Sequence, residues 1–167
     1  MPLWEEANRC LKQRNQLLRT GGWDRSEMQT WTSQLATHAE QMDFFRQGYM
    51  QQFSGVFSDV MTQLSSEQDV RLEYFRGWNQ DRRLEEIYRQ ELPQDEKRGY
   101  TRKGFQRADV RILVGGQPAV KVCSRGELKV LVWGMMLAQG VMQTSQDILY
   151  LVDDLASEFD AGHRQRV

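Results

Sequence analysis

Ser124, Arg125, Gly126 and Glu127 open an apolar run that reaches Ala138, and Asp153 and Asp154 close the apolar run 148–152. A serine followed two residues later by glycine, at the start of a helix, offers a hydroxyl and unobstructed backbone N–H groups where the helix dipole favours an anion. Phosphate is the natural guest. The same residues also make an ordinary helix cap, with Ser124 as N-cap and Glu127 completing a capping box. The acidic pair has its own chemistry. A short apolar strand delivers a carboxylate to the carboxyl edge of a buried sheet, where Asp153 is placed to hold Mg²⁺ and Asp154 to accept a proton from water. Two adjacent aspartates after an apolar run equally suit a turn or a helix start. The order of the two segments favours the phosphate and Mg²⁺ reading of both. No G-x-x-x-x-G-K-[ST] phosphate loop occurs among the 167 residues.

Composition bounds what can surround these groups. A chain of 167 residues with 27% charged and 40% hydrophobic residues reads as about one globular domain. No apolar run is long enough for a membrane span, and the first residues carry no basic signal-peptide region, so a cytoplasmic chain with no membrane partner is expected. Cys10 and Cys123 lie far apart with no C-x-x-C or histidine cluster, and read as reduced apolar residues. The net charge of −1 hides an uneven distribution. Residues 97–129 hold nine basic groups against Asp109 and Glu127, a balance of +7, whereas 147–160 hold five acidic groups and no basic one. Such a basic band suits phosphate ligands, and Lys97, Arg98, Arg102, Lys103 and Arg107 are the candidates to neutralise a DNA backbone. A solvated surface with ordinary charge scatter is the alternative.

The elements that must position these groups follow from periodicity. Trp4, Ala7, Leu11 and Leu18 fall on one helical face, and Gly21-Gly22 ends that helix. Asp24 with Glu27 forms a capping box for a second helix that carries Met28, Trp31, Leu35, Met42, Phe45, Tyr49, Val56 and Val60 to about Leu64. The first helix is too short to cover it, so Phe45, Tyr49, Phe53 and Phe57 need another partner. Their spacing reads as core packing. A strand over 70–74, a short helix over 81–92 stopped at Pro93, and a polar basic loop over 94–108 are predicted next. A hairpin then pairs 109–114 with 118–122 around Gly115-Gly116-Gln117. Helix over 126–138 and a buried strand over 148–152 complete the chain. The division is a helical hairpin arm over 1–66 and a globular part over 67–167.

Four segments carry a resemblance. They are Leu11-Lys12-Gln13-Arg14-Asn15-Gln16-Leu17-Leu18; Gly99-Tyr100-Thr101 with Arg107-Ala108-Asp109-Val110-Arg111-Ile112; Ser124-Arg125-Gly126-Glu127-Leu128-Lys129; and Leu149-Tyr150-Leu151-Val152-Asp153-Asp154 through Asp160. In this order they resemble the RecF family of bacterial DNA replication and repair proteins, in its C-terminal portion. The resemblance implies an α/β fold, a partial ABC-type ATPase head like that of SMC proteins, with an α-helical arm lobe. It implies ATP and Mg²⁺ as cofactors and an ATP-dependent homodimer on single-stranded or gapped duplex DNA. RecO and RecR are the implied partners in loading RecA at gaps during recombinational repair and the SOS response.

By position, the resemblance makes Ser124, Arg125, Gly126 and Glu127 the signature loop acting on ATP held by a partner head. Asp153 becomes the Walker-B Mg²⁺ residue, Asp154 the catalytic carboxylate, and Ser157 to Asp160 the D-loop at the dimer seam. Glu127 departs from the usual Gln and adds negative charge near a triphosphate. Phe105-Gln106 replaces an expected Pro-His. The phosphate loop and the switch histidine of the family fall outside the sequence, since His163 follows the D-loop too soon and His38 reads as structural. The chain alone is therefore expected not to hydrolyse ATP. A non-hydrolysing DNA- or protein-binding module is the competing reading. Another head of the same superfamily is a third, against which the short arm without long heptads argues.

Overall fold

A computed structural model describes residues 2–64 and 69–143. Helix α1, Leu3–Thr20, ends where Gly21 takes a left-handed φ of 65° and its N–H bonds Leu17 O. Helix α2, Arg25–Leu64, runs 40 residues, about 60 Å at the standard rise. Strand β1, Val70–Phe75, alternates half-buried and exposed residues, as a strand with one covered face should. Helix α3, Leu84–Arg98, leads through a 3₁₀ turn, Phe105–Arg107, to strand β2, Asp109–Val114. Strand β3, Gln117–Pro118, the short helix α4, Ala119–Val122, and helix α5, Arg125–Met142, follow. The sheet order is β1-β2-β3.

Two compact units divide these elements. One comprises residues 1–48 with 74–109, the other 49–73 with 110–167. Both draw on α2, so this division runs along different lines from an arm over 1–66 and a head over 67–167.

In the first unit, α1 and α3 pack together and the core gathers Cys10, Leu35, Ala39, Trp78, Leu84 and Phe105. The buried face of α1 is Ala7, Cys10, Arg14 and Leu18. The helical period was legible, but its phase was not: Trp4 is exposed and Leu11 only partly buried, because the polar Arg14 belongs to the inward face. In the second unit, Phe53, Phe57, Met61 and Leu64 of α2 pack with Val130, Leu131 and Ala138 of α5. This settles half of the aromatic stripe. Phe53 and Phe57 have their partner in the globular part, while Phe45 and Tyr49 stay exposed.

Two expectations need correction. Pro93 does not stop α3, which continues to Arg98. A proline inside a helix removes one hydrogen bond and crowds the preceding turn. Here the following turn is held from outside, because Asp95 is buried against α1, and the helix stops at Gly99 in the left-handed conformation. The hairpin after β2 is also shorter than predicted. Gly115 and Gly116 form a tight two-residue turn, both with positive φ, pairing Val114 with Gln117 and Leu113 with Pro118. Residues 119–122 then coil into α4, since Pro118 carries no N–H with which to extend the ladder.

Candidate functional site

The signature segment sits at the start of α5, in the second unit. Ser124 is the N-cap: its hydroxyl accepts from Glu127 N at 3.3 Å, and its own N–H donates to the Glu127 carboxylate at 2.7 Å. The capping box weighed from sequence is therefore formed. It leaves the Arg125 and Gly126 N–H groups of the first turn without a hydrogen-bond partner among the described residues, as at any helix start. Both residues are exposed, and a Cβ on Gly126 would meet nothing within 4 Å. Among the described residues nothing requires glycine there; close approach by an outside group would. The site fits one anionic oxygen at two backbone donors beside the Arg125 side chain, with the Glu127 carboxylate opposing it. Burial raises the Cys123 thiol above its ordinary value, with Glu127 adding to the shift, so the neighbouring thiol is a neutral bystander.

Asp153, Asp154, Ser157, Asp160 and His163 lie outside the described residues. Among the described residues no cluster of three His, Cys, Asp or Glu side chains could hold a metal. The Mg²⁺ assignment to Asp153 thus stands on sequence alone.

The five basic candidates from Lys97 to Arg107 lie in the first unit, where the end of α3 turns into the loop 99–107. Lys97, Arg98, Lys103 and Arg107 are exposed. Arg102 is engaged differently, its guanidinium meeting Glu91, Gln94 at 2.6 Å and Asp95 at 3.6 Å. Its charge is largely neutralised within the chain, so among the five basic candidates it is the least free to meet a phosphate.

What holds this loop went unread in the sequence. Arg14 is fully buried and pairs with Asp95 at 3.0 Å. It also donates to Thr32 Oγ1 at 3.2 Å, to the Thr101 hydroxyl and to Tyr88 O at 3.4 Å, with its guanidinium over the Tyr88 ring at 5.0 Å. Beside it, Asn15 Oδ1 accepts from both the N–H and the hydroxyl of Thr101 at 2.8 Å. Asp95 Oδ1 accepts from Arg102 N at 3.2 Å. Farther on, Gly104 N bonds Gly77 O, Arg46 donates to Phe105 O, and the Gln106 amide donates to the carbonyls of Thr101 and Lys103. Burial raises the Asp95 carboxyl above the usual range even though Arg14 pulls the other way. The loop is a fixed platform. The signal was present in Leu11-Lys12-Gln13-Arg14-Asn15-Gln16-Leu17-Leu18 and Gly99-Tyr100-Thr101, two of the resembling segments, which the fold joins through Arg14, Asn15 and Thr101.

The mixed helix and small-sheet fold is that of a partial ABC-type ATPase head with a helical arm. The chain is similar to RecF proteins along nearly its whole length. It is 36% identical over 167 residues to the DNA replication and repair protein RecF of Pseudomonas paraeruginosa, covering 98% of this chain and 45% of that one. It is 37% identical over 169 residues to the RecF of Cellvibrio japonicus, covering 99% and 46%. A solved structure of the recombination mediator protein RecF-ATP in the RecFOR pathway superposes with a TM-score of 0.85 at 20% identity, over 98% of this chain and 48% of the other. A second, RecF-ATPrS, gives 0.81 over 95% of this chain. No family model matches the chain. The chain spans less than half the length of these curated relatives, and the match fits the C-terminal portion of a RecF. Among the described residues no helix is long and apolar enough to cross a membrane.

Proposed function

We propose that this chain is the part of a RecF-type repair protein that supplies the signature loop, the Mg²⁺-binding carboxylate and a DNA-facing loop. In the whole protein these parts serve ATP-dependent DNA binding and the loading of RecA at gaps with RecO and RecR. The similarity to RecF across 98% of the chain carries this reading.

Each residue has a role within it. The Arg125 and Gly126 N–H groups and the Arg125 guanidinium receive a phosphate oxygen of ATP held by a partner head, with Ser124 fixing the helix start. Asp153 holds Mg²⁺, Asp154 takes the proton of the attacking water, and Ser157 and Asp160 lie at the homodimer seam. ATP, when bound, supplies the bridge between heads. Residues 1–66 form the arm lobe and 67–167 the head. Lys97, Arg98, Lys103 and Arg107 neutralise DNA phosphates in a cytoplasmic protein, and Arg102 shapes their loop. One observation favours a non-hydrolysing binding module instead: the Glu127 carboxylate already accepts the Ser124 N–H at the point where an anion would approach.

The test is fluorescence anisotropy of this chain with labelled gapped duplex and single-stranded DNA across a salt series. Affinity should fall as salt rises, and Lys103→Glu with Arg107→Glu should lower both affinity and salt slope, each lost phosphate contact reducing the slope by about one. Unchanged binding in the double variant would remove the loop from the DNA-binding assignment.

A further inference from the structure

Tyr100 lies between two residues whose positions the fold fixes. Gly99, left-handed at φ 74°, ends α3 with its N–H on Glu96 O at 3.2 Å, and Tyr100 N follows onto Asp95 O at 3.2 Å. Thr101 is clamped on the other side by Asn15 and Arg14. A helix ending in this way commonly covers its exit residue with an apolar side chain of the last turn. Here those positions hold Gln94 and Asp95, which bond Arg102 and Arg14 instead. The phenol ring is left 40% exposed, with no other ring or cation against its face among the described residues.

We propose that Tyr100 is a stacking platform for an unpaired base, so that the loop takes single-stranded DNA in preference to duplex. The proposal rests on the DNA-binding role of this loop and adds the nucleic-acid structure that it reads.

Charge decides between a nucleic-acid strand and an apolar protein surface as the group that covers the ring. Arg19 of α1 joins the exposed Lys97, Arg98 and Lys103 here, its stem passing so near that a Cβ on Gly99 would meet Arg19 Cγ at 3.1 Å. It is exposed and makes no ion pair among the described residues. Between 94 and 107 the acids are Asp95, taken by Arg14, and Glu96. The positive surplus therefore survives the partial negative charge of the two helix ends, about half a unit each. An apolar partner closing over the ring would have to desolvate these cations, whereas a strand brings a phosphate for each.

An aromatic face set among phosphate-binding cations is the arrangement that holds single strands, because every base has a face to stack. In a duplex those faces are already covered by neighbouring bases, which leaves the ring little to gain beyond the phosphate contacts around it. With the backbone fixed on both sides, binding has only the ring's own torsions to order.

The experiment compares labelled oligothymidylate with a blunt duplex of equal length by fluorescence anisotropy, using the 167-residue chain and its Tyr100→Leu, Tyr100→Phe and Arg19→Gln variants. Tyr100→Leu should weaken oligothymidylate binding about tenfold. It should leave duplex affinity within about twofold and the salt slope as in the parent, since a base contact is lost and no phosphate contact. Tyr100→Phe should bind as the parent does, and Arg19→Gln should lower the single-strand salt slope by about 0.7. A parental thermal midpoint in Tyr100→Leu separates a lost contact from unfolding. Equal losses on both DNAs, or a Tyr100→Phe variant as weak as Tyr100→Leu, overturns the proposal. Parental affinity in Tyr100→Leu alongside loss in Lys103→Glu with Arg107→Glu overturns the stacking and leaves the loop's DNA role standing. No saturable binding of oligothymidylate by the parent at low salt overturns the single-strand assignment outright.

Discussion

Replacing Arg14 by Met should unfold the first unit far more readily than any loss of a surface charge. The pair it breaks is fully enclosed, with Arg14 at 0% and Asp95 at 1% side-chain exposure. Methionine keeps the length of the stem but leaves the Asp95 carboxylate and the Thr101 hydroxyl without their donor. Removing one partner of a buried ion pair costs about 3–5 kcal/mol, against a total stability on the order of 5–15 kcal/mol for a domain. The loss should depend on pH with a definite sign. Asp95 already titrates above the usual carboxylate range through burial. Without Arg14 its folded-state pKa rises further, so the folded variant holds that proton more tightly than the unfolded chain. The deficit is therefore smallest below the unfolded carboxylate pKa and widens as pH rises through the folded one. Urea unfolding followed by far-UV circular dichroism at several pH values measures it, with the two units fitted separately if two transitions appear. A loss under about 1 kcal/mol, the size of a solvated ion pair, would refute the claim that this pair holds the unit together.

Other perturbations separate packing from chemistry. Ser124→Ala should cost about 0.5–2 kcal/mol by removing the cap of α5. Glu127→Gln keeps the capping geometry, and by withdrawing a charge from the helix start should cost only about 0.3–1 kcal/mol. If Glu127 opposes nucleotide, the same Gln variant binds ATP more tightly in the whole protein, and equal affinity would show that the carboxylate does not reach the phosphates. Gly77→Ala should abolish the fold of the loop around it, because its φ is +100° and a Cβ would collide with the backbone oxygen of Gly104. The cost includes about 1–3 kcal/mol of conformational strain before the collision is counted, and a thermal midpoint equal to the parent's would contradict it. Burial first, then the Asp43 charge, raises the Tyr74 phenol from its ordinary value of 10.0 to about 12. Its contribution to stability is fully present below pH 10 and lost as pH rises through 12. Phenolate absorbance and circular dichroism should show Tyr74 ionising late, together with alkaline unfolding, and early titration of Tyr74 in a folded chain would exclude the burial argument.

Much of this architecture was legible because it depends on local periodicity and turn chemistry. Gly21 and the apolar spacing bounded α1 and α2, and Gly115-Gly116 located the hairpin. The alternation from Val70 to Tyr74 gave β1. The errors came where distant residues override local signals. Pro93 reads as a stop, but the turn after it is anchored by a partner 81 residues away in sequence. The burial of Arg14 has no local signal, because nothing in its own helix announces a carboxylate waiting on α3. The capping box from Ser124 to Glu127 was legible as local geometry, yet its nucleotide role is a property of an outside ligand and no local pattern decides it.

The Arg14 cluster also explains how a basic loop comes to present only some of its charge. Arg102 is drawn back to Glu91, Gln94 and Asp95 by a chain of contacts that begins at α1, while Lys103 and Arg107 remain exposed. A flexible loop would pay conformational entropy to order each side chain on a phosphate backbone. This one has spent it during folding, through Asn15 and Arg14 on Thr101 and through Gly104 on Gly77. Buried ion pairs add little net stability over a well-packed apolar core, so a contribution to the uniqueness of the loop conformation is the better account of Arg14 and Asp95. That account distinguishes two replacements. Converting both residues to apolar ones should restore much of the stability lost in Arg14→Met, yet leave the loop less well fixed. Amide hydrogen exchange at residues 101–106 would then be faster in the double variant at equal global stability. Exchange as slow as in the parent would show that the pair stabilises the unit without specifying the loop.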